Sequence, residues 1–164
     1  FYCVRSDNPA SVVSGNVLVG YSNGIIVSRG TVTNNRVEGS SVAGITSFNA
    51  TVTGNVLIGG STGIRLQPSF TAFTTVKNNL IYGFSSIGIN AIGLSAGTLL
   101  ENNTIDAGAS TGISINTSST AVTLRNNIVT VSTGLGRKST QLGGSSAKSL
   151  ARTMLKEMVK EGRH

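Results

Sequence analysis

The sequence predicts an all-β solenoid, a parallel β-helix of about six stacked coils followed by a C-terminal amphipathic helix. One observation is an asparagine that recurs in register at Asn16, Asn35, Asn55, Asn79, Asn103 and Asn127, at intervals of 19, 20, 24, 24 and 24 residues. A second is that aliphatic residues flank each copy: Val13, Val32, Val52, Val76, Leu100 or Leu124 before it, and Leu18, Val37, Leu57, Ile81, Ile105 or Val129 after it. The third is a Gly-Ile pair further along each of five copies, at Gly24-Ile25, Gly44-Ile45, Gly63-Ile64, Gly88-Ile89 and Gly112-Ile113. Fixed self-similarity of this period means repeated supersecondary units that bury their apolar faces only by stacking.

Each element of the coil has its own reason. The residue before each ladder asparagine is Gly15, Asn34, Gly54, Asn78, Asn102 or Asn126. Gly and Asn tolerate left-handed backbone angles, so this column predicts a tight corner between two strands. The ladder asparagines are expected to stack, with each amide hydrogen-bonded along the axis, which satisfies polar groups that are costly to bury bare. The Gly-Ile pair opens an alternating run such as Gly112-Ile113-Ser114-Ile115-Asn116, and period-two alternation means a strand with one face inward. One coil therefore holds three short strands. The longer coils place their extra residues at 67–74 and 92–98, as loops outside the stack. A leucine-rich repeat would need a leucine framework, and a left-handed hexapeptide helix a strict six-residue period; neither is present.

Composition agrees. Charged residues are 12% of the chain, about half the usual share, while Val, Thr, Gly and Asn suit strands and tight corners. With Cys3 as the one cysteine, no intrachain disulfide can form. Zinc sites and histidine catalysis are not expected, since the one histidine is His164.

The pattern V-x-[GN]-N-x-[VIL] followed by G-I-x-[VIL], from Val12 to about Thr133, resembles the repeat of the pectate-lyase-like right-handed parallel β-helix superfamily. That resemblance implies a right-handed solenoid and places any substrate groove on the outer face of the Gly-Ile strands. It does not imply one activity, because the superfamily spans lyases, hydrolases, phage tailspikes and adhesins. Alternation puts Ile26, Thr46, Arg65, Asn90 and Ser114 outward, with Ser28, Phe48, Gln67, Ile92 and Asn116 beside them. From these columns Thr46, Phe48, Arg65, Gln67, Asn90 and Asn116 are the candidate ligand-contacting residues.

Neither column holds a carboxylate as read from sequence. Glycoside hydrolysis normally uses two carboxyl groups, and a calcium-dependent lyase needs several acidic oxygens. Glu38 and Asp106 share another outward column but stand three coils apart, about 14 Å at the usual rung spacing. Arg65 resembles the lone arginine base of some lyases, and a solvated surface charge is its simpler reading. No catalytic residue, metal or cofactor is therefore assigned. The expected function is a non-catalytic structural or glycan-contacting module. A fragment of a polysaccharide lyase or hydrolase, or a self-assembling filament subunit, are the alternatives.

The chain divides into the β-helix over residues 1–134, a polar linker over 135–147 and a basic amphipathic helix over 148–162. In that helix Leu150, Met154, Leu155, Met158 and Val159 recur at helical spacing. Its expected role is to cap the last coil or dock on a partner. Residues 137–164 carry seven Lys or Arg and two Glu, a net of +5 out of +7 for the whole chain. Nothing aromatic interleaves these charges, so nucleic acid is not expected, and no run approaches the roughly 18 apolar residues of a membrane span. The expected partners are a polysaccharide or a second copy in end-to-end assembly. An extracellular, cell-surface or virion location is expected, with the chain, which starts at Phe1, cut from a longer product.

Overall fold

A computed structural model describes residues 1–67, 73–93, 97–108, 111–116, 122–132 and 137–142. Strand β1 (Tyr2–Ser6) comes first, and the next coil contributes β2 (Val12–Ser14), β3 (Val17–Val19) and β4 (Asn23–Val27). Three coils follow in which the second and third strands run together. They comprise β5 (Gly30–Thr33) with β6 (Arg36–Ser47), β7 (Ala50–Thr53) with β8 (Val56–Leu66), and β9 (Thr75–Lys77) with β10 (Leu80–Ala91). The strands separate again in β11 (Leu99–Glu101), β12 (Thr104–Asp106) and β13 (Thr111–Ile115). The last are β14 (Thr123–Arg125), β15 (Asn127–Ser132) and β16 (Arg137–Leu142).

Every pairing except the last is parallel between successive coils. One sheet stacks β2, β5, β7, β9, β11 and β14; the other runs β1-β4-β6-β8-β10-β12-β15-β16, with β3 joining at β6 and β13 at β10. The six ladder asparagines thus enclose five complete turns. The aliphatic columns meet in register: Val13, Val32, Val52, Val76, Leu100 and Leu124 in the first sheet, and Ile25, Ile45, Ile64, Ile89 and Ile113 in the second. They form one continuous core in which Ile25, Ile45, Leu57, Ile64, Ile81, Ile89 and Leu100 have no exposed surface (0%). Only the open rung differs, where Leu124 and Ile115 are 38% and 39% exposed.

The corner before each asparagine has the predicted backbone: Gly15, Asn34, Gly54, Asn78, Asn102 and Asn126 all sit at φ between 53° and 68°. Inside it the asparagine ladder runs unbroken. Asn79 Nδ2 donates to Asn103 Oδ1 at 3.0 Å, to Val52 O at 3.0 Å and to Lys77 O at 2.9 Å. Its Oδ1 accepts from the backbone N–H and Nδ2 of Asn55, each at 3.0 Å. The same exchange links Asn16 to Asn35, Asn35 to Asn55 and Asn103 to Asn127.

A second glycine column, absent from the sequence reading, makes the corner between the second and third strands. Gly20, Gly39, Gly59, Gly83 and Gly108 have φ between 58° and 77°. The glycines of the Gly-Ile pairs do a different job. A Cβ on Gly63 would lie 2.5 Å from Gly88 O and 2.6 Å from Ile81 Cγ2, both in the next coil, so a bare backbone is what lets successive coils stack this closely here.

The chain ends lie outside the six repeat copies. Tyr2–Ser6, within the expected β-helix but ahead of its first repeat copy, is a rung that pairs with β4 through Val4↔Ile25 and Arg5↔Ile26. The polar linker expected over 135–147 contains β16, which returns antiparallel along β15 from Ser132↔Arg137 to Asn127↔Leu142. The amphipathic helix expected over 148–162 lies outside the described residues.

Candidate functional site on the outer face of the Gly-Ile strands

Cross-rung pairing assembles the two outward columns. Ile26 pairs with Thr46, Thr46 with Arg65, Arg65 with Asn90 and Asn90 with Ser114, and β1 adds Arg5 in front of Ile26. The neighbouring column is held by backbone bonds from Phe48 N to Val27 O (3.0 Å), Gln67 N to Ser47 O (2.9 Å), Ile92 N to Leu66 O (3.1 Å) and Asn116 N to Ala91 O (3.1 Å). Ser28 is anchored likewise by Ser6 O at 2.9 Å. Rungs about 4.8 Å apart thus present a strip of hydroxyl, amide and guanidinium groups along the solenoid axis.

The candidate residues are not equally available. Thr46 is only 6% exposed, and its Oγ1 donates to Asn23 Oδ1 at 3.2 Å. Phe48, Gln67 and Asn90 are half-buried, and Asn116 is exposed with its Oδ1 accepting from Gly93 N at 3.0 Å. Arg65 is half-buried at the centre of the strip. Its Nε is enclosed and has no hydrogen-bond partner, an arrangement that costs free energy.

The strip is not free of acid. By following Ser6 in β1, Asp7 reaches the same face, where Ser28 Oγ donates to its Oδ1 and Arg5 Nε lies 3.1 Å from its Oδ2. The Ser28 hydrogen bond foremost, and then Arg5, hold the Asp7 carboxyl below the usual carboxylate range. Sequence reading missed Asp7 because Cys3 stands where the other coils have glycine, which hid β1 from the repeat. The other carboxylates among the described residues lie on other strands. Glu38 pairs with Arg36, and its column continues through Ile58 and Tyr82 to Asp106. Glu101 sits between Lys77 at 3.2 Å and Arg125 at 2.6 Å. Asp7 is therefore an ion-paired carboxylate, and among the described residues no second one lies on its strip, so these residues do not by themselves assemble the paired carboxyls of glycoside cleavage.

A family model described as the right-handed β-helix region matches residues 3–148. The chain belongs to the right-handed β-helix family. The match begins at Cys3, inside β1, and so includes the rung that the repeat pattern alone did not reveal. No curated protein and no solved structure matches the chain. For a right-handed β-helix the membership fixes the architecture and the hand of the coil, while activity depends on side chains grafted onto it.

Proposed function

We propose that this right-handed β-helix is a non-catalytic surface module that contacts an extended polysaccharide along the strip centred on Arg65. The observation that carries the proposal is Arg65 itself, a half-buried cation at the centre of the strip, set in register between Thr46 and Asn90. A polymer lying along the axis would meet one rung every 4.8 Å or so. Asn90, Gln67 and Asn116 offer both donors and acceptors to hydroxyl-rich chains, and the Phe48 ring offers an apolar face to a sugar ring. The setting that fits is an extracellular, cell or virion surface. The unpaired strand edges of a solenoid also invite end-to-end assembly, but β16 occupies the hydrogen-bonding edge of β15, which works against head-to-tail growth there.

The test is retention of the protein on immobilised neutral and acidic polysaccharides, together with assays for new reducing or unsaturated chain ends. Binding without cleavage is expected, weakened at least tenfold by Arg65→Ala while the circular dichroism spectrum is unchanged. Chain cleavage would instead favour a lyase or hydrolase reading. Absence of binding to every polymer, or binding indifferent to Arg65→Ala, would overturn the proposal.

A further inference from the structure

The three outer faces of the solenoid differ in character. The first sheet presents Thr31, Thr51, Thr75, Lys77, Glu101 and Arg125, and the Gly-Ile face presents the polar strip. Between the asparagine corner and the glycine corner, the second strand of each coil turns two side chains outward around one buried aliphatic residue. These outward pairs form two columns, and three of the pairs are wholly apolar: Val17 with Val19, Val56 with Ile58, and Leu80 with Tyr82. An apolar patch of this kind on an outer face marks an interaction site. Among the described residues its charged groups are Arg36 and Glu38, which pair with each other on one rung, and Asp106, which stands in the Glu38 column.

We infer that this face docks a second copy of the chain, side by side, about a two-fold axis parallel to the solenoid axis. An isologous contact requires a surface complementary to itself. Such an axis lays each rung over the same rung of the other copy and exchanges the two columns. Val56 then meets the partner's Ile58, Leu80 the partner's Tyr82, and Val17 the partner's Val19. Arg36 meets the partner's Glu38, and Glu38 the partner's Arg36. The rungs of the two copies share one spacing, about 4.8 Å, so the rows stay matched along the whole face.

Charge selects this occupant and this axis. Arg36 and Glu38 already pair within one copy, and the column exchange sets two such pairs together with their signs alternating, so each cation faces a carboxylate across the contact. A two-fold axis along the strands would instead reverse the rung order and keep the columns. Centred on the face, it would lay Glu38 over the partner's Asp106, two like charges in an apolar setting. Two side chains per rung from β3 to β15, about 24 Å of axis, put the contact at the low end of specific interfaces, roughly 1,000 Å² in total. The dimer should therefore dissociate on dilution. The Arg65 strip lies on another face, so the inference stands independently of the polysaccharide reading.

Sedimentation velocity of the full-length chain across a concentration series should show a reversible monomer–dimer equilibrium. Ile58→Lys, which sets a charge in the apolar part of the contact, should weaken it at least tenfold. Arg36→Glu and Glu38→Arg, each made alone, should weaken it as well, because each homodimer then gathers four like charges. All three positions lie on the outer face, so the core is untouched, and a cooperative melt checks the fold. An equimolar mixture of Arg36→Glu and Glu38→Arg restores opposite charges across the axis and should dimerise again. Neither a contact within one chain nor a folding defect produces that recovery. Four results would each overturn the inference: a parent that stays monomeric at every concentration, a dimer indifferent to these substitutions, a dimer lost only on Leu124→Lys at the end of the stack, or a mixture that stays monomeric.

Discussion

Replacing Asn79 by alanine tests the central feature of the fold. Asn79 is 1% exposed and sits mid-ladder. The substitution removes the acceptor of the Asn55 backbone N–H and one donor each from the carbonyls of Val52 and Lys77. A buried donor left bare costs about 1–3 kcal/mol. Two carbonyls stripped of one partner and the space left by the amide add a comparable amount, for a total of about 3–5 kcal/mol. In a domain of this size 1 kcal/mol moves Tm by about 2–4 °C, so a drop near 10 °C is expected by calorimetry or circular dichroism.

Asn16, at the ladder end and only half-buried, should lose about 1 kcal/mol when made alanine. The aspartate variant at position 79 adds a pH signature. A carboxylate there keeps the acceptor but faces Asn103 Oδ1 and the carbonyls of Val52 and Lys77. Burial and these neighbours raise its folded pKa above the unfolded one. Its stability is then highest at low pH and falls as pH rises from the unfolded pKa through the folded pKa. Asn79→Asp should thus be less stable than Asn79→Ala at pH 7 and overtake it near pH 4. Equal losses for Asn16→Ala and Asn79→Ala would refute the reasoning, because they would mean that the buried amide chain contributes nothing beyond its exposed end.

Three further outcomes are expected. Gly63→Ala, whose Cβ would meet Gly88 O and Ile81 Cγ2 below 3.0 Å, should cost about 3 kcal/mol through forced backbone shifts. Gly20→Ala, at φ +77° with nothing within 4 Å, should cost about 1 kcal/mol from backbone strain alone; thermal melts of the two variants separate close approach from left-handed strain. Glu101 is held below its ordinary pKa by Arg125 first and Lys77 second, so its contribution is present above the unfolded pKa and fades as pH falls through the lower folded value. Glu101→Gln should therefore flatten the acid limb of stability below about pH 4.5, and added salt should shrink the difference between the two proteins. The Arg5–Asp7 pair is exposed, so Asp7→Asn should leave the neutral-pH melting temperature within about 2 °C and show its effect only in acid.

What the sequence alone determined is everything that recurs at a fixed interval. The asparagine ladder, the left-handed column from Gly15 to Asn126, the aliphatic columns and the sorting of Arg65 and Asn90 outward all follow from local backbone preference and period-two alternation, which each coil states for itself. Tertiary structure decided what depends on which rung lies over which. It recruited Tyr2–Ser6 as a rung although Cys3 interrupts the glycine column, brought Asp7 to the strip, enclosed Thr46 and joined the second and third strands in the middle coils. It also turned part of the expected linker back as β16. The second glycine column sat in view but drifts from four to five residues after the asparagine, so only its backbone angles reveal it. The division has a physical basis. Periodicity is written into each coil, whereas burial, ion pairs and edge pairing are made between coils, through space, by residues that carry no common signature.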